Sequence, residues 1–98
     1  MSDWYIYLIR CGNGSLYTGI STDVDRRFAE HREAGPAGSR YLKGRGPLTL
    51  VFRRKLGGRS LASKVESRVK KLSKANKERL TVIPEYIETM VKRAGGGV

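Results

Sequence analysis

The chain has 98 residues, 39% of them hydrophobic, which suits one domain with a small core and excludes a disordered segment. Twenty Lys and Arg against nine Asp and Glu give a net charge of +11 and a pI near 10.3, and so large an excess points to a polyanion, with nucleic acid the first candidate. A single cysteine and a single histidine exclude an internal disulfide and an ordinary structural zinc site, and the longest apolar run, Trp4 to Ile9, is too short to span a bilayer.

The opening Met-Ser-Asp-Trp does not read as a signal peptide, and the lone Cys11 suits a reducing compartment. A cytoplasmic protein with no membrane attachment is the expectation. Trp4 to Arg10 reads as a strand apolar on both faces, with Tyr5, Tyr7 and Ile9 on one side and Trp4, Ile6 and Leu8 on the other. That pattern predicts a central strand covered from both sides. Cys11-Gly-Asn-Gly-Ser15 is a turn that folds the next strand back as a hairpin. Whether Tyr7 and Tyr17 then share a face depends on register.

Leu16 to His31 joins a strand to a helix. Leu16, Thr18 and Ile20 alternate with Tyr17 and Gly19. Gly19 leaves space beside Tyr17 in which an anion can sit. Thr22 reads as the helix N-cap, and Asp23 and Asp25 put negative charge in the first turn. Val24, Arg27, Phe28 and His31 fall on one stripe of that helix, which ends near Glu33 or Ala34. Taken singly, a strand tyrosine, a helix arginine and a lone histidine beside apolar neighbours are ordinary structural residues. Their clustering is what makes them candidates.

Gly35 to Pro47 follows as a loop with four glycines, two prolines, Tyr41 and the cations Arg40, Lys43 and Arg45. It lacks Walker A spacing, so no nucleotide or other small-molecule cofactor is expected. It reads equally as a phosphate-approaching segment and as a flexible connection. Leu48 to Leu56 is the third strand, with Leu48, Leu50 and Phe52 expected on one face and Thr49, Val51 and Arg53 on the other. No acidic residue occurs from Ala34 to Val65, a stretch suited to a nucleic-acid backbone.

Ser60 is expected to cap the next helix, whose stripe is Leu61, Val65, Val69 and Leu72. Glu66 borders that stripe, and on periodicity alone it pairs with Lys70 at i,i+4. Ser73 to Leu80 is a short basic helix or turn, Pro84 opens a last helix to about Arg93, and residues 94–98 read as a frayed tail after a single domain over 1–93. The fold class that follows is α+β, a small three-stranded antiparallel sheet flanked by helices in the order β-β-α-β-α-α, with the first strand central and the first helix crossing between the outer two.

Tyr5-Ile6-Tyr7, then Tyr17-Thr18-Gly19, then Arg27 and His31 resemble the GIY-YIG nuclease superfamily in residue type and spacing, most closely its small single-domain bacterial members. Ala62-Ser-Lys-Val-Glu66-Ser-Arg-Val-Lys70 resembles the helix that carries the family's metal-binding glutamate. The likeness runs from about Trp4 to Leu80. Tyr5 stands where the motif has glycine, and Thr18 where it has isoleucine. The resemblance implies a nuclease with Tyr7, Tyr17, Arg27, His31 and Glu66 at its centre and Gly19 as a structural motif residue. Glu66 would be the metal ligand.

The reading is therefore a metal-dependent endonuclease that hydrolyses phosphodiester bonds in nucleic acid, DNA foremost. One carboxylate, Glu66, suffices for Mg²⁺ (or Mn²⁺) that keeps water and a substrate phosphate as its other ligands. Arg27 would neutralise charge on the phosphate. One tyrosine serves as general base, its pKa lowered by Arg27 and the metal, while His31 either assists proton transfer or positions the tyrosine. Arg40, Lys43, Arg45 and Lys70 are the candidate backbone-binding cations. The alternative is a non-catalytic nucleic-acid-binding module of the same fold.

Overall fold

The computed structural model describes residues 3–33 and 37–95. Strands β1 (Trp4–Arg10) and β2 (Leu16–Ser21) form the hairpin, and β3 (Thr49–Gly57) completes a three-stranded sheet in the order β2-β1-β3. Both outer strands run antiparallel to β1, which lies in the middle with both faces covered, as its two-sided apolar pattern predicts. Helix α1 (Val24–Arg32) and a 3₁₀ turn (Arg40–Leu42) lie between β2 and β3. After β3 come α2 (Arg59–Lys70), α3 (Lys74–Val82), a 3₁₀ turn (Pro84–Tyr86) and α4 (Ile87–Arg93). Three helices, not two, thus follow the third strand, because Ser73 caps a complete α3 by accepting the Asn76 N–H.

Each sheet face carries its own core. On one face Ile6, Leu8 and Phe52 pack with Val65 and Val69 of α2, Leu80 of α3, and Ile87, Met90 and Val91 of α4. On the other, Tyr7 and Ile9 pack with Cys11, Val24 and Leu42, flanked by Tyr5, Tyr17, Phe28, Leu48 and Leu50. The faces of β1 fall as its alternation dictates. Those of β3 do not: Leu8 pairs with Phe52 but Ile9 pairs with Leu50, so Val51 is an extra residue. This bulge inverts the phase, sending Leu50 and Phe52 to opposite faces, where simple alternation places them together.

Two caps also differ from expectation. Asp23, not Thr22, caps α1: its carboxylate accepts the Arg26 N–H at 3.1 Å, while Ser21 Oγ accepts the Asp23 N–H at 3.0 Å. Ser21 and Asp23 between them pin the strand-to-helix turn. Ser60 lies inside the first turn of α2, whose N-cap is Gly58 and has no side-chain cap. The strand runs to Gly57, which turns at φ +109°, and the helix starts at once. Ala94, the first residue of the expected tail, packs against the helical core. Residues 96–98 of the expected tail, and Ala34 to Pro36 in the helix-to-loop passage, lie outside the described residues. Among the described residues no helix is long and apolar enough to cross a membrane.

Candidate active site

Register settles the relation of the two motif tyrosines. Tyr7 pairs with Gly19 and Ile9 with Tyr17, and residues directly opposite one another share a face, so both tyrosines stand on the side of α1. Their ring centroids are 6.5 Å apart. The room above Gly19 is not vacant for an anion. The Tyr7 phenol fills it, and a Cβ at position 19 would lie 2.4 Å from Tyr7 Oη. Glycine is what allows the Tyr7 hydroxyl to cross β2.

Helix α1 supplies the other groups. His31, buried at 2% exposure, places Nε2 3.1 Å from Tyr7 Oη, and its ring meets Tyr17 edge-on with centroids 5.5 Å apart. The Ser39 backbone N–H donates to His31 Nδ1 at 3.1 Å. A backbone N–H only donates, so Nδ1 is the acceptor and the neutral ring carries its proton on Nε2. His31 therefore donates to Tyr7 Oη. Burial, then the Arg27 charge, push the His31 pKa below its ordinary value, against a smaller opposing pull from Glu30, which keeps the ring neutral at pH 7.

Tyr7 ionises with difficulty. Burial, followed by Tyr17, pushes its pKa up to about 12, and Glu66 adds to this, while Arg27 acts in the opposite direction. Of the two influences expected to lower a tyrosine pKa, Arg27 and the metal, Arg27 does act downward at Tyr7, and desolvation outweighs it. Arg27 itself is half-buried. Its Nη1 pairs with Glu30 at 2.9 Å and also donates to the Ala37 carbonyl. Glu30, three residues on, orients the guanidinium and was not singled out from sequence, although its i,i+3 spacing from Arg27 was there to be read.

Glu66 is half-buried on α2, with Oε2 3.4 Å from Lys70 Nζ, so the i,i+4 pair forms. Its charge is the smallest of the influences that raise the Tyr7 pKa, and its helix packs on the sheet face opposite Tyr7. Lys70 is thereby engaged by Glu66. Arg40 and Lys43 are exposed, whereas Arg45 is held by the loop's own tyrosine: its guanidinium lies 4.3 Å over the Tyr41 ring, and its Nε donates to the Tyr41 carbonyl at 2.6 Å. Tyr41 stacks on Tyr17 with centroids 5.8 Å apart and planes 29° from parallel. With Leu42 buried, Ser39 on His31 and the Gly12 N–H donating to the Arg45 carbonyl, the segment 37–47 is docked on the site rather than being a free connection. Sequence offered no signal for the Ser39 and Tyr41 contacts, since they depend on how the loop returns.

The donor set bears on metal chemistry. Among the described residues no group of three or more His, Cys, Asp or Glu side chains is placed to hold an ion. The carboxylates at hand are Glu30, paired with Arg27, and Glu66 on α2, paired with Lys70, together with two phenols and an imidazole. That set does not suit a closed transition-metal site, and it fits a hard cation that retains most of its water.

Residues 3–79 match the GIY-YIG catalytic domain. The chain belongs to the GIY-YIG family. The strands that carry Tyr5-Ile6-Tyr7 and Tyr17-Thr18-Gly19 lie within the matched residues, and the family implies an endonuclease-type function on nucleic acid. The chain is 46% identical over 91 residues to the UPF0213 protein YhbQ of Salmonella arizonae, covering 93% of this chain and 89% of that protein. It is 51% identical over 90 residues to a UPF0213 protein of Cronobacter sakazakii, covering 92% and 93%. The solution structure of the UPF0213 protein BH0048 from Bacillus halodurans is similar over 96% of this chain and 98% of that one, with 34% identity and a TM-score of 0.55.

Proposed function

We propose that the protein is an endonuclease that hydrolyses phosphodiester bonds in nucleic acid, DNA foremost, with Mg²⁺ or Mn²⁺. The observation that carries this reading is that Tyr7, lying over Gly19, meets Tyr17, His31 and Arg27 in a chain of the GIY-YIG family. Arg27 neutralises charge that develops on the scissile phosphate. Tyr7 keeps its proton at neutral pH and donates it in a hydrogen bond to a phosphate oxygen or the attacking water. His31 acts by positioning: Nδ1 is taken by Ser39 and Nε2 already bears a proton, so the ring holds the Tyr7 oxygen without accepting its hydrogen. Tyr17, the less buried of the two phenols, is then the tyrosine that would take a proton from water, acting as the phenolate after giving its own proton to solvent. Glu66 would hold the metal, which supplies positive charge to the phosphate and to the leaving oxygen. Exposed Arg40 and Lys43 contact the neighbouring backbone.

One observation favours the non-catalytic alternative, namely that the Glu66 carboxylate is engaged by Lys70. Plasmid nicking and gel shifts, with and without Mg²⁺ or Mn²⁺, separate the readings. Wild type is expected to nick, and Arg27→Ala and Glu66→Gln to cut nothing. Glu66→Gln keeps its size but loses the charge a hard cation needs, so it should bind DNA at least as well as wild type. Nicking that survives in Glu66→Gln overturns the metal role. A wild type that shifts DNA but never nicks it is the binding module.

A further inference from the structure

A line of planar groups leaves the centre described above and ends at the surface. His31 meets Tyr17 edge-on, Tyr17 stacks with Tyr41, and the Arg45 guanidinium lies over Tyr41. Tyr41 keeps 43% of its surface exposed, one of few large apolar side chains to do so among the described residues. It is fixed from its surroundings rather than waving in solvent: Ser39 Oγ accepts its N–H at 3.2 Å, and Arg45 is tied to its carbonyl. The Arg45 nitrogens beyond Nε have no partner among the described residues. No acidic side chain lies in the sequence around this loop to compensate Arg40, Lys43 or Arg45.

We infer that Tyr41 and Arg45 form a stacking platform for one unpaired nucleobase beside the centre, so that the substrate is single-stranded or locally unpaired nucleic acid. This rests on the nuclease reading above and narrows its substrate. The physical argument is one of access. An aromatic ring backed by another ring, with a guanidinium plane at its outer end, matches the flat face of a base. In a duplex both faces of each base are covered by its neighbours, and a protein reaches only base edges and phosphates. A base can meet this platform only when it is unpaired and turned out of its stack. With Tyr17 stacked on Tyr41 and the Arg45 guanidinium over it, the plane left for a base is the outer face of that guanidinium, at the end of a line that starts at the reacting groups. Arg40 and Lys43 flank the loop for the adjoining phosphates.

The test is fluorescence anisotropy in EDTA, which prevents cleavage, using labelled oligothymidylate and a hairpin duplex of equal nucleotide count. The readout is the ratio of the two affinities for wild type, Tyr41→Phe, Tyr41→Ala and Arg45→Lys in the full chain. Wild type should prefer the single strand. Tyr41→Ala should weaken single-strand binding about ten-fold and leave duplex binding nearly unchanged. Tyr41→Phe retains the ring and should match wild type, while Arg45→Lys retains charge without the plane and should lose part of the preference. Equal losses on both probes in Tyr41→Ala, or no loss on either, overturn the platform while leaving the nuclease reading in place. A wild type that binds neither probe overturns that reading, and the platform with it.

Discussion

The two faces of the sheet are made by the same strand and have opposite characters. Facing α2, α3 and α4, β1 shows Ile6 and Leu8, both with no exposed surface, within a cluster of nine buried apolar residues. Facing α1 and the docked loop it shows Tyr7 and Ile9, and the neighbours there are a tyrosine, a neutral histidine, a buried thiol and an arginine held by Glu30. Period-two geometry lets one strand serve both environments without either intruding on the other. The apolar face supplies burial, the main favourable contribution to folding, and thereby supports a second face in which desolvated polar groups sit at some cost. The hairpin register then places that second face's hydroxyl over Gly19.

This division predicts that damage to the two faces separates stability from chemistry. Leu80, fully buried on α3, should cost roughly 2–5 kcal/mol when cut to alanine, while nicking per folded molecule persists below the lowered melting temperature. Gly19→Ala should cost only about 1–3 kcal/mol but eliminate nicking, since the new Cβ displaces the Tyr7 hydroxyl. Chemical denaturation paired with the plasmid assay checks both. If Leu80→Ala loses activity while fully folded, or Gly19→Ala keeps it, the faces are not separable in this way.

The chemical face should also be the one that feels mild acid. The folded-state pKa of His31 lies below its ordinary value of 6.5, so the unfolded chain binds a proton there that the folded chain refuses. Stability from this group is complete above about pH 6.5 and falls as pH drops toward the lowered value. The carboxylates of Asp25, Glu78 and Glu88, each held down first by an arginine hydrogen bond (Arg53, Arg10 and Arg54), lose their contribution at lower pH still. Melting temperatures should therefore decline between pH 6.5 and 5 in wild type and stay flatter in His31→Gln. Parallel declines in the two proteins would place the acid-sensitive group elsewhere.

The smallest expected effect concerns a flaw in the apolar face. Thr18 pairs with Leu8 and is 3% exposed, and its Oγ1 has no hydrogen-bond partner among the described residues. Thr18→Val keeps the shape and removes the orphaned hydroxyl, so the protein should gain on the order of 1 kcal/mol with nicking unchanged. A loss of stability on guanidinium denaturation would mean that the hydroxyl is satisfied in solution.

Much of this arrangement was legible in the sequence, because it depends on short-range periodicity. The apolar alternation of Trp4–Arg10 identified a central strand with two covered faces, and Arg27 and His31, four residues apart, had to share a helix face. What could not be read depends on geometry between segments. The bulge at Val51 leaves no mark in composition, yet it decides which face receives Phe52. Whether Tyr7 faces Tyr17, and that its phenol occupies the room above Gly19, follow from hairpin register. The protonation of His31 depends on a backbone amide eight residues away, supplied by Ser39, which no residue-type argument selects. The raised pKa of Tyr7 likewise comes from burial, which sequence does not measure.

The order β2-β1-β3 also has a bearing on synthesis at the ribosome. The middle strand is made before either of its partners, and its second partner, Thr49–Gly57, ends 36 residues after β2 is complete. At translation rates of 5–20 residues per second this is roughly 2–7 s during which one side of Trp4–Arg10 presents unpaired amides and carbonyls. The helices that cover Ile6 and Leu8 emerge later again. Nascent chains stalled between Ser21 and Thr49 should accordingly be the ones that capture a β-strand peptide or a chaperone, and chains extended past Gly57 should lose that affinity.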